Sequence, residues 1–340
     1  MPLLRYSLRG FLAIFLFVTP AAADCATATV PLDRLVCSTP ELATMDRDLN
    51  TKYQAAIAVL SATGQKHVRA AERQWLALVR AACGPLVGQP DVAGEGPVSC
   101  LRVQYSERLD QLDLAAKRVG PYLISNVEDL AFSVDADDDK GGYDGPVSFR
   151  RFSIPVIDQP LTPATERWNA AVRKLASDLE ADFVGMWVVD PKPGSVNPGY
   201  DTILSYELGL GGADFLSLNV EAFVYEHGEP HGHVVALQSN QLLRENRELA
   251  FKELFRNGTD WPKVLEAACR KAVSNDDPVD AADCEGDTFS WFARPEGLVL
   301  RLPMQGPPAQ IADEYGITIP WSALAPVLSA SLPFSPRSQP

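Results

Sequence analysis

The chain has 340 residues, of which 46% are hydrophobic and 22% are charged. This composition is typical of globular proteins and excludes disordered, collagen-like and coiled-coil chains, while the length suggests two domains. The formal net charge of −14 argues against nucleic acid and anionic membrane surfaces as main partners, because both are polyanions. A cationic partner would be attracted instead.

The first 23 residues have the pattern of a secretory signal peptide. Arg5 and Arg9 precede the apolar run 11–18, and alanines at 21–23 supply an A-x-A cleavage site. We therefore predict cleavage after Ala23 and a mature protein that is periplasmic or secreted. The apolar run is too short to span a bilayer, and no later run approaches about 18 apolar residues, so we expect no membrane insertion.

Residues 24–119 have the periodicity of a domain of three amphipathic helices. Ser38 and Glu41 form a predicted capping box ahead of the first helix. A second helix is predicted over 65–82, and a third begins near residue 100, with its apolar stripe running to Val119. Three aromatic residues on the stripes are expected to pack in the core: Tyr53, Trp75 and Tyr105.

Six cysteines in an exported chain predict disulfides, because that compartment is oxidising. Several connectivities are open, of which the pairing of sequence neighbours is the simplest. It would close the Gly- and Pro-rich loop 84–99 and the acidic stretch 274–283. The chain has no C-x-x-C pair, which weakens the alternative of a metal site. The cysteines are Cys25, Cys37, Cys83, Cys100, Cys269 and Cys284.

An ordered set of polar, aromatic and cysteine residues runs through this first half. Its members are Cys37, Leu42, Asp46, Leu49, Asn50, Tyr53, Gln74, Trp75, Arg80, Cys83, Cys100, Tyr105, Arg108 and Leu109. Over about residues 25–115 the set resembles the N-terminal domain of the lysozyme inhibitor LprI. The long loop between Cys83 and Cys100 departs from the family pattern. The resemblance implies a disulfide-stapled helical domain that is a candidate for lysozyme binding.

From residue 125 to about 330 the sequence alternates between strand and helix patterns. Helices are predicted to begin at Thr162-Pro163 and at Asp260. Strands alternating with two helices predict an antiparallel sheet with packed helices, so the whole chain is α+β, and residues 331–340 form a tail. The predicted strands are 130–134, 149–157, 202–210, 215–225, 233–238, 289–293, 298–302 and 317–319.

Short motifs in this second half occur in a recognisable order. They are Tyr225 to Gly232, Glu253-Leu254-Phe255, Phe289, Gly297-Leu298, Tyr315-Gly316 and Ile317 to Pro320. The order resembles the C-terminal extracellular domain of the anti-sigma factor RsiV over about residues 125–328. Glu229-Pro230 depart from the small residues usual in that family. The resemblance implies lysozyme as a ligand, because that domain is a lysozyme receptor, but a signalling role is not carried over.

Charge divides the chain after the signal peptide into unlike halves. Residues 24–119 carry 11 basic and 11 acidic side chains, whereas residues 120–340 carry 17 basic and 33 acidic ones. The second half therefore has a net charge of −16. Any steering of a cationic lysozyme would come from this half.

Three of the four histidines lie within seven residues: His227, His231 and His233. On a hairpin these imidazoles could hold Zn²⁺, with Glu226 or Glu229 nearby. We favour a polar turn whose histidines face water, because ligands on one short hairpin seldom enclose a metal without further donors.

The acidic run at 135–144 raises the question of a second metal site, a calcium-binding loop. An EF-hand that started at Asp135 would need Gly at its sixth position and Glu at its twelfth, which hold Lys140 and Pro146. A solvated acidic loop is the preferred interpretation. The acidic residues are Asp135, Asp137, Asp138, Asp139 and Asp144.

The sequence contains no G-x-S-x-G, H-E-x-x-H, G-x-G-x-x-G or phosphate-loop motif. We therefore predict an exported binding protein with no catalytic centre and no cofactor, which binds or inhibits a lysozyme. Two alternatives stay open. One is an envelope module that binds peptidoglycan or a cell-wall protein without inhibition, and the other is a zinc-dependent hydrolase at the histidine hairpin.

Overall fold

A computed structural model gives the fold of the chain. It describes residues 25, 28–84, 95–134, 147–188, 194–273, 284–285, 289–301 and 316–336. The predicted signal peptide, the aspartate-rich run and most of the Gly- and Pro-rich loop lie outside the described residues. Within the described part of the chain, no helix combines the length and the apolar character needed to cross a membrane.

The first half contains the three long helices that periodicity predicts and one short helix that it does not. The third long helix ends at Leu114, so that Val119 lies in the first strand instead of the helical stripe. The helices are α1 Pro31–Ser38, α2 Pro40–Val59, α3 Ala62–Cys83 and α4 Glu95–Leu114.

The capping box predicted at Ser38 and Glu41 is wrong. Thr39 is the N-cap of α2 and makes no side-chain cap hydrogen bond. The hydroxyl of Ser38 donates to the carbonyl of Leu35, 3.1 Å away, at the end of α1. Because α1 continues to Ser38, this residue belongs to the last turn of one helix and is not placed to cap the next.

Seven strands form one large sheet whose spatial order follows the order along the chain. Neighbouring strands are antiparallel, as predicted, except β3 and β4, which are parallel. The strands are β1 Ala116–Val119, β2 Tyr122–Val134, β3 Val147–Gln159, β4 Tyr200–Gly212, β5 Phe215–Glu226, β6 His233–Leu242 and β7 Arg247–Glu248.

Helix α5, Pro163–Leu179, accounts for the parallel pair, because it carries the chain back along the sheet before β4 begins. The Thr162 hydroxyl caps its first turn, accepting from the N–H of Thr165. The Asn169 side chain holds α5 against β3, accepting from the N–H of Ile157 and donating to its carbonyl. A π-helical turn at 180–184 and the short α6, Gly185–Trp187, continue α5.

The last part of the chain forms a small antiparallel sheet with helices α7 and α8 beside it. A buried cluster holds this part together and includes Phe251, Leu254, Trp291 and Trp321. The α+β class predicted from the sequence is therefore confirmed. The bounds are α7 Trp261–Ala272, β8 Ser290–Ala293, β9 Gly297–Arg301, β10 Gly316–Pro320 and α8 Trp321–Leu324.

The two faces of the large sheet are covered by different elements. In β3, Phe152 and Ile154 pack in the cluster of α5, whereas Val147 and Phe149 pack with the first four helices. On the face that packs with the first four helices, but farther along the sheet, the Ser217 hydroxyl of β5 accepts a hydrogen bond from the N–H of Ala293 in the small sheet. Helices α1–α4 and the small sheet therefore lie on one face, and α5 lies on the other.

A buried ion cluster joins the helices to the sheet. The Arg108 guanidinium of α4 donates to the Glu72 carboxylate of α3 at 3.1 Å and to the Glu128 carboxylate of β2 at 3.0 Å. The side chains of Arg108 and Glu128 are only 2% and 1% exposed. Burial raises the pKa of Glu72, and the Arg108 charge opposes this shift. The arginine thus makes ion pairs with two carboxylates whose side chains are only 9% and 1% exposed.

Replacement of Arg108 tests how strongly the fold depends on this cluster. Arg108→Ala is expected to lower the free energy of unfolding by about 3–5 kcal/mol, because two buried carboxylates lose their cation. Urea unfolding at neutral pH measures the effect. The matched control is Arg102→Ala, which breaks an exposed pair with Glu41 and should cost less than about 1 kcal/mol. Equal losses in the two variants would contradict this account.

Candidate binding surface

The residues of the LprI-like set lie mainly inside the helical half. Leu42, Asp46 and Trp75 are buried, and the rings of Trp75 and Tyr105 meet edge to face at 5.2 Å. The Tyr105 hydroxyl donates to the Asp46 carboxylate at 3.2 Å, and burial, followed by the Asp46 charge, raises the pKa of Tyr105. The predicted core packing of Tyr53, Trp75 and Tyr105 is confirmed. Most of the set therefore serves the fold, and Arg80 is its exposed member.

The six cysteines form three disulfides between sequence neighbours. Cys25–Cys37 fastens α1, Cys83–Cys100 joins the end of α3 to α4, and Cys269–Cys284 anchors α7. The Cα atoms of Cys83 and Cys100 are 5.6 Å apart. Both ends of the Gly- and Pro-rich loop are therefore held at one point of the helical half.

The three clustered histidines have different environments. His227 Nε2 lies 3.2 Å from the Asp201 carboxylate, and the His233 ring stacks on Trp187 with centroids 3.5 Å apart. His231 is exposed, with its ring centroid 6.2 Å from that of His233. Burial lowers the pKa of His233, and a protonated His231 would lower it further. In the part of the chain that the structure describes, no group of three metal-ligating side chains is placed to hold an ion.

A zinc titration tests whether these imidazoles bind a metal. We expect equimolar Zn²⁺ to leave the thermal midpoint of the protein unchanged, because His227 contacts Asp201 and His233 lies against Trp187. Differential scanning fluorimetry with and without a chelator measures this. Stoichiometric zinc that stabilises the wild type but not His231→Ala would overturn the expectation and restore the hydrolase alternative.

The end of the sheet that carries the histidines belongs to a strongly anionic segment. Residues 175–243 contain ten acidic side chains and a single lysine, a local imbalance that charge totals for whole halves conceal. Cations from elsewhere in the chain neutralise several of these acids. Glu226 and Glu229, beside the histidines, are exposed and make no side-chain ion pair or hydrogen bond within the described residues. The ion pairs are Glu180–Arg150, Glu207–Arg294 and Asp214–Arg244.

A cleft of about 330 Å³ lies at the opposite end of the sheet, where α3 begins beside the β3–α5 connection. The buried Asp158 carboxylate accepts from the N–H of Ser61 at 2.8 Å and from its hydroxyl at 2.5 Å. This places a negative charge at the N-terminus of α3, where the helix dipole favours it. His67 and Arg173 also line the cleft. Burial, and then the Arg173 charge, lower the pKa of His67.

His67 should make the folded state sensitive to acid. The unfolded chain binds a proton near the ordinary pKa of 6.5, whereas folded His67 resists it, so stability falls as pH drops below that value. His67→Gln is expected to reduce the loss of unfolding free energy between about pH 7.5 and pH 5.5. Urea unfolding of wild type and variant at both pH values measures the difference. Identical losses would show that His67 does not contribute.

A second cavity, of about 700 Å³, is lined by the last described residues of the chain. Trp321 and Phe334 form its apolar wall, with ring centroids 5.6 Å apart, and Ser322 and Ser329 lie at its rim. It has no cluster of charged side chains and belongs to the packing of the small sheet against the chain end.

The fold and these contacts define a class: an α+β protein with four helices packed on one face of a large sheet and three disulfides of the kind found in extracellular or periplasmic proteins. Residues 22–112 match the family model described as lysozyme inhibitor LprI, so this part of the chain is similar to that family. The resemblance predicted for about residues 25–115 is thereby confirmed. A comparison with curated proteins gives no match.

Two solved structures of DUF3298 family proteins are also similar to the chain. One is from Pseudomonas aeruginosa PAO1 and has 12% sequence identity to this chain and a TM-score of 0.40. The match covers 61% of this chain and 95% of the other chain. The other is from Bacteroides fragilis NCTC 9343 and has 15% sequence identity to this chain and a TM-score of 0.34. The match covers 63% of this chain and 96% of the other chain. The RsiV-type resemblance of residues 125–328 stays a prediction.

Proposed function

We propose that this protein is an exported, non-catalytic binding protein that binds a lysozyme and inhibits it. The match of residues 22–112 to the lysozyme inhibitor LprI is the observation that carries the proposal. Three disulfides support an oxidising compartment, which is where a cell-wall hydrolase would be met. Export would follow cleavage of the predicted signal peptide after Ala23.

Electrostatics support a cationic enzyme as the ligand. Lysozymes are typically cationic, and residues 120–340 carry a net charge of −16. Opposite net charges raise the rate of encounter between two proteins, and added salt screens this attraction. The LprI domain itself contributes little to the attraction, because residues 24–119 have equal numbers of acidic and basic side chains. The two halves would thus have complementary roles, one in recognition and one in steering.

Inhibition requires a segment that covers the sugar-binding cleft of the enzyme. Because the family residues Asp46, Trp75 and Arg108 are buried, the contacts must come from exposed segments. The loop closed by Cys83–Cys100 is one candidate, since the disulfide fixes both its ends. The hairpin at 227–233 is the other, with imidazoles that could face the carboxylates of the enzyme. Rigid scaffolds commonly present binding residues on such loops.

A lysis assay tests the proposal. Oxidised protein comprising residues 24–340 is titrated into lysozyme while the turbidity of a cell-wall suspension is followed. We expect inhibition at near-stoichiometric amounts, with the apparent dissociation constant rising about tenfold or more between low and high salt, because the attraction is electrostatic. An unrelated acidic protein of similar net charge is the control for charge alone.

Two results would contradict the proposal. One is equal inhibition by the acidic control, which would reduce the effect to charge. The other is no binding at low salt to lysozymes of more than one class. In that second case, sedimentation of the protein with purified peptidoglycan would identify the alternative, an envelope module that binds the wall without inhibiting an enzyme.

A further inference from the structure

One end of the large sheet presents exposed acidic side chains next to an exposed methionine. We define the hairpin-end surface as Met186, Trp187, Glu226, Glu229 and His231. It lies where β5 ends and β6 begins, and α6 reaches the same place because Trp187 stacks on His233. The Tyr225 hydroxyl donates to the carbonyl of Glu229 at 3.1 Å, which holds the turn against β5.

The carboxylates of this surface are available to a partner. Glu226 and Glu229 are exposed, and within the described residues their side chains have neither an ion pair nor a hydrogen bond. Other acids of the same segment are already neutralised, such as Glu180 by Arg150 and Glu207 by Arg294. Between positions 175 and 243 the sequence supplies only Lys192 as a cation. Unpaired negative charge is therefore concentrated here.

The apolar part of the surface has the residue types that anchor protein interfaces. Met186 is 69% exposed, more than any other large hydrophobic side chain among the described residues. Trp187 is half-buried against the α5 cluster, with its ring 9° from parallel to the His233 ring, and its buried indole N–H has no hydrogen-bond partner within the described residues. Trp and Met are enriched at interfaces, and charges around such anchors set the rate and orientation of docking.

We propose that the hairpin-end surface docks a basic patch of the cationic enzyme, with Trp187 and Met186 as apolar anchors and Glu226 and Glu229 as partners for Lys and Arg side chains. The inference rests on the proposed function and deepens it, because it assigns the contact at this end of the sheet to carboxylates and apolar side chains that meet a basic patch, in place of imidazoles that meet carboxylates. Exposed carboxylates without an internal cation are complementary to such a patch, and the exposed Met186 adds apolar surface beside them.

Two pairs of variants in the full chain of residues 24–340 test the site. Glu226→Gln/Glu229→Gln removes two charges from the surface, and Glu166→Gln/Glu296→Gln removes two exposed charges elsewhere. Met186→Lys puts a cation on the hairpin-end surface. Its matched control, Leu161→Lys, puts a cation at a distant side chain that is 63% exposed. The control positions lie at the far end of the sheet. Glu166 and Leu161 follow the end of β3, and Glu296 lies beside Ala293, whose carbonyl approaches Gly209 near the end of β4.

Binding to a cationic lysozyme is measured by biolayer interferometry at low and high salt, and thermal unfolding checks that every variant is folded. We expect Glu226→Gln/Glu229→Gln to weaken binding about fivefold at low salt, mainly through a slower association rate, and less at high salt. Met186→Lys should weaken it about tenfold, because it both repels the partner and interrupts the apolar contact. The two controls should change affinity less than about twofold.

The outcomes separate this inference from the proposed function. Selective loss in the two hairpin-end variants supports the site. Wild-type binding that these variants leave unchanged, or that the controls weaken equally, overturns the site while lysozyme binding stands. Failure of the wild type itself to bind lysozymes of more than one class overturns the proposed function, and the site falls with it.

Discussion

The salt bridges of Arg108 hold together the two kinds of structure in this protein. A helix from the first half supplies the arginine, a second helix supplies Glu72, and a strand of the sheet supplies Glu128. The guanidinium also lies 5.9 Å from the Trp75 ring, so the ion cluster borders the aromatic core. Charges at such depth are tolerated only as a complete set, which fixes how α3, α4 and β2 are arranged relative to one another.

The chemistry available for recognition is placed away from this core. The residues that resemble the LprI pattern are mostly buried, whereas the β5–β6 turn and α6 carry the exposed Glu226, Glu229 and Met186. This separation lets a binding surface vary without loss of the fold. The anionic segment 175–243 also shows that charge is unevenly distributed inside the acidic half, with its unpaired carboxylates at one end of the sheet.

The sequence predicts the elements better than their arrangement. Apolar stripes identify α2, α3 and α5, because each of these helices buries one face, and strand alternation identifies β3 to β6. Helix α1 is too short, at eight residues, for a stripe to stand out. The parallel pairing of β3 and β4 depends on how α5 crosses the sheet, which no local pattern records. At the candidate surface, the histidines and glutamates are visible in sequence, but the stacking of Trp187 on His233, 46 positions away, arises only from tertiary packing.

The apolar cluster of the first four helices is not closed by those helices alone. Leu123 and Leu130 of β2 and Val147 of β3 belong to it, and Asp158 fastens the start of α3 from the far end of β3. A chain synthesised from its amino terminus therefore completes its helices before the strands that cover them exist. Until those strands arrive, the uncovered side is open to chaperones and proteases. The family match ends at residue 112, inside this shared cluster, so residues 22–112 alone would leave part of their apolar surface uncovered.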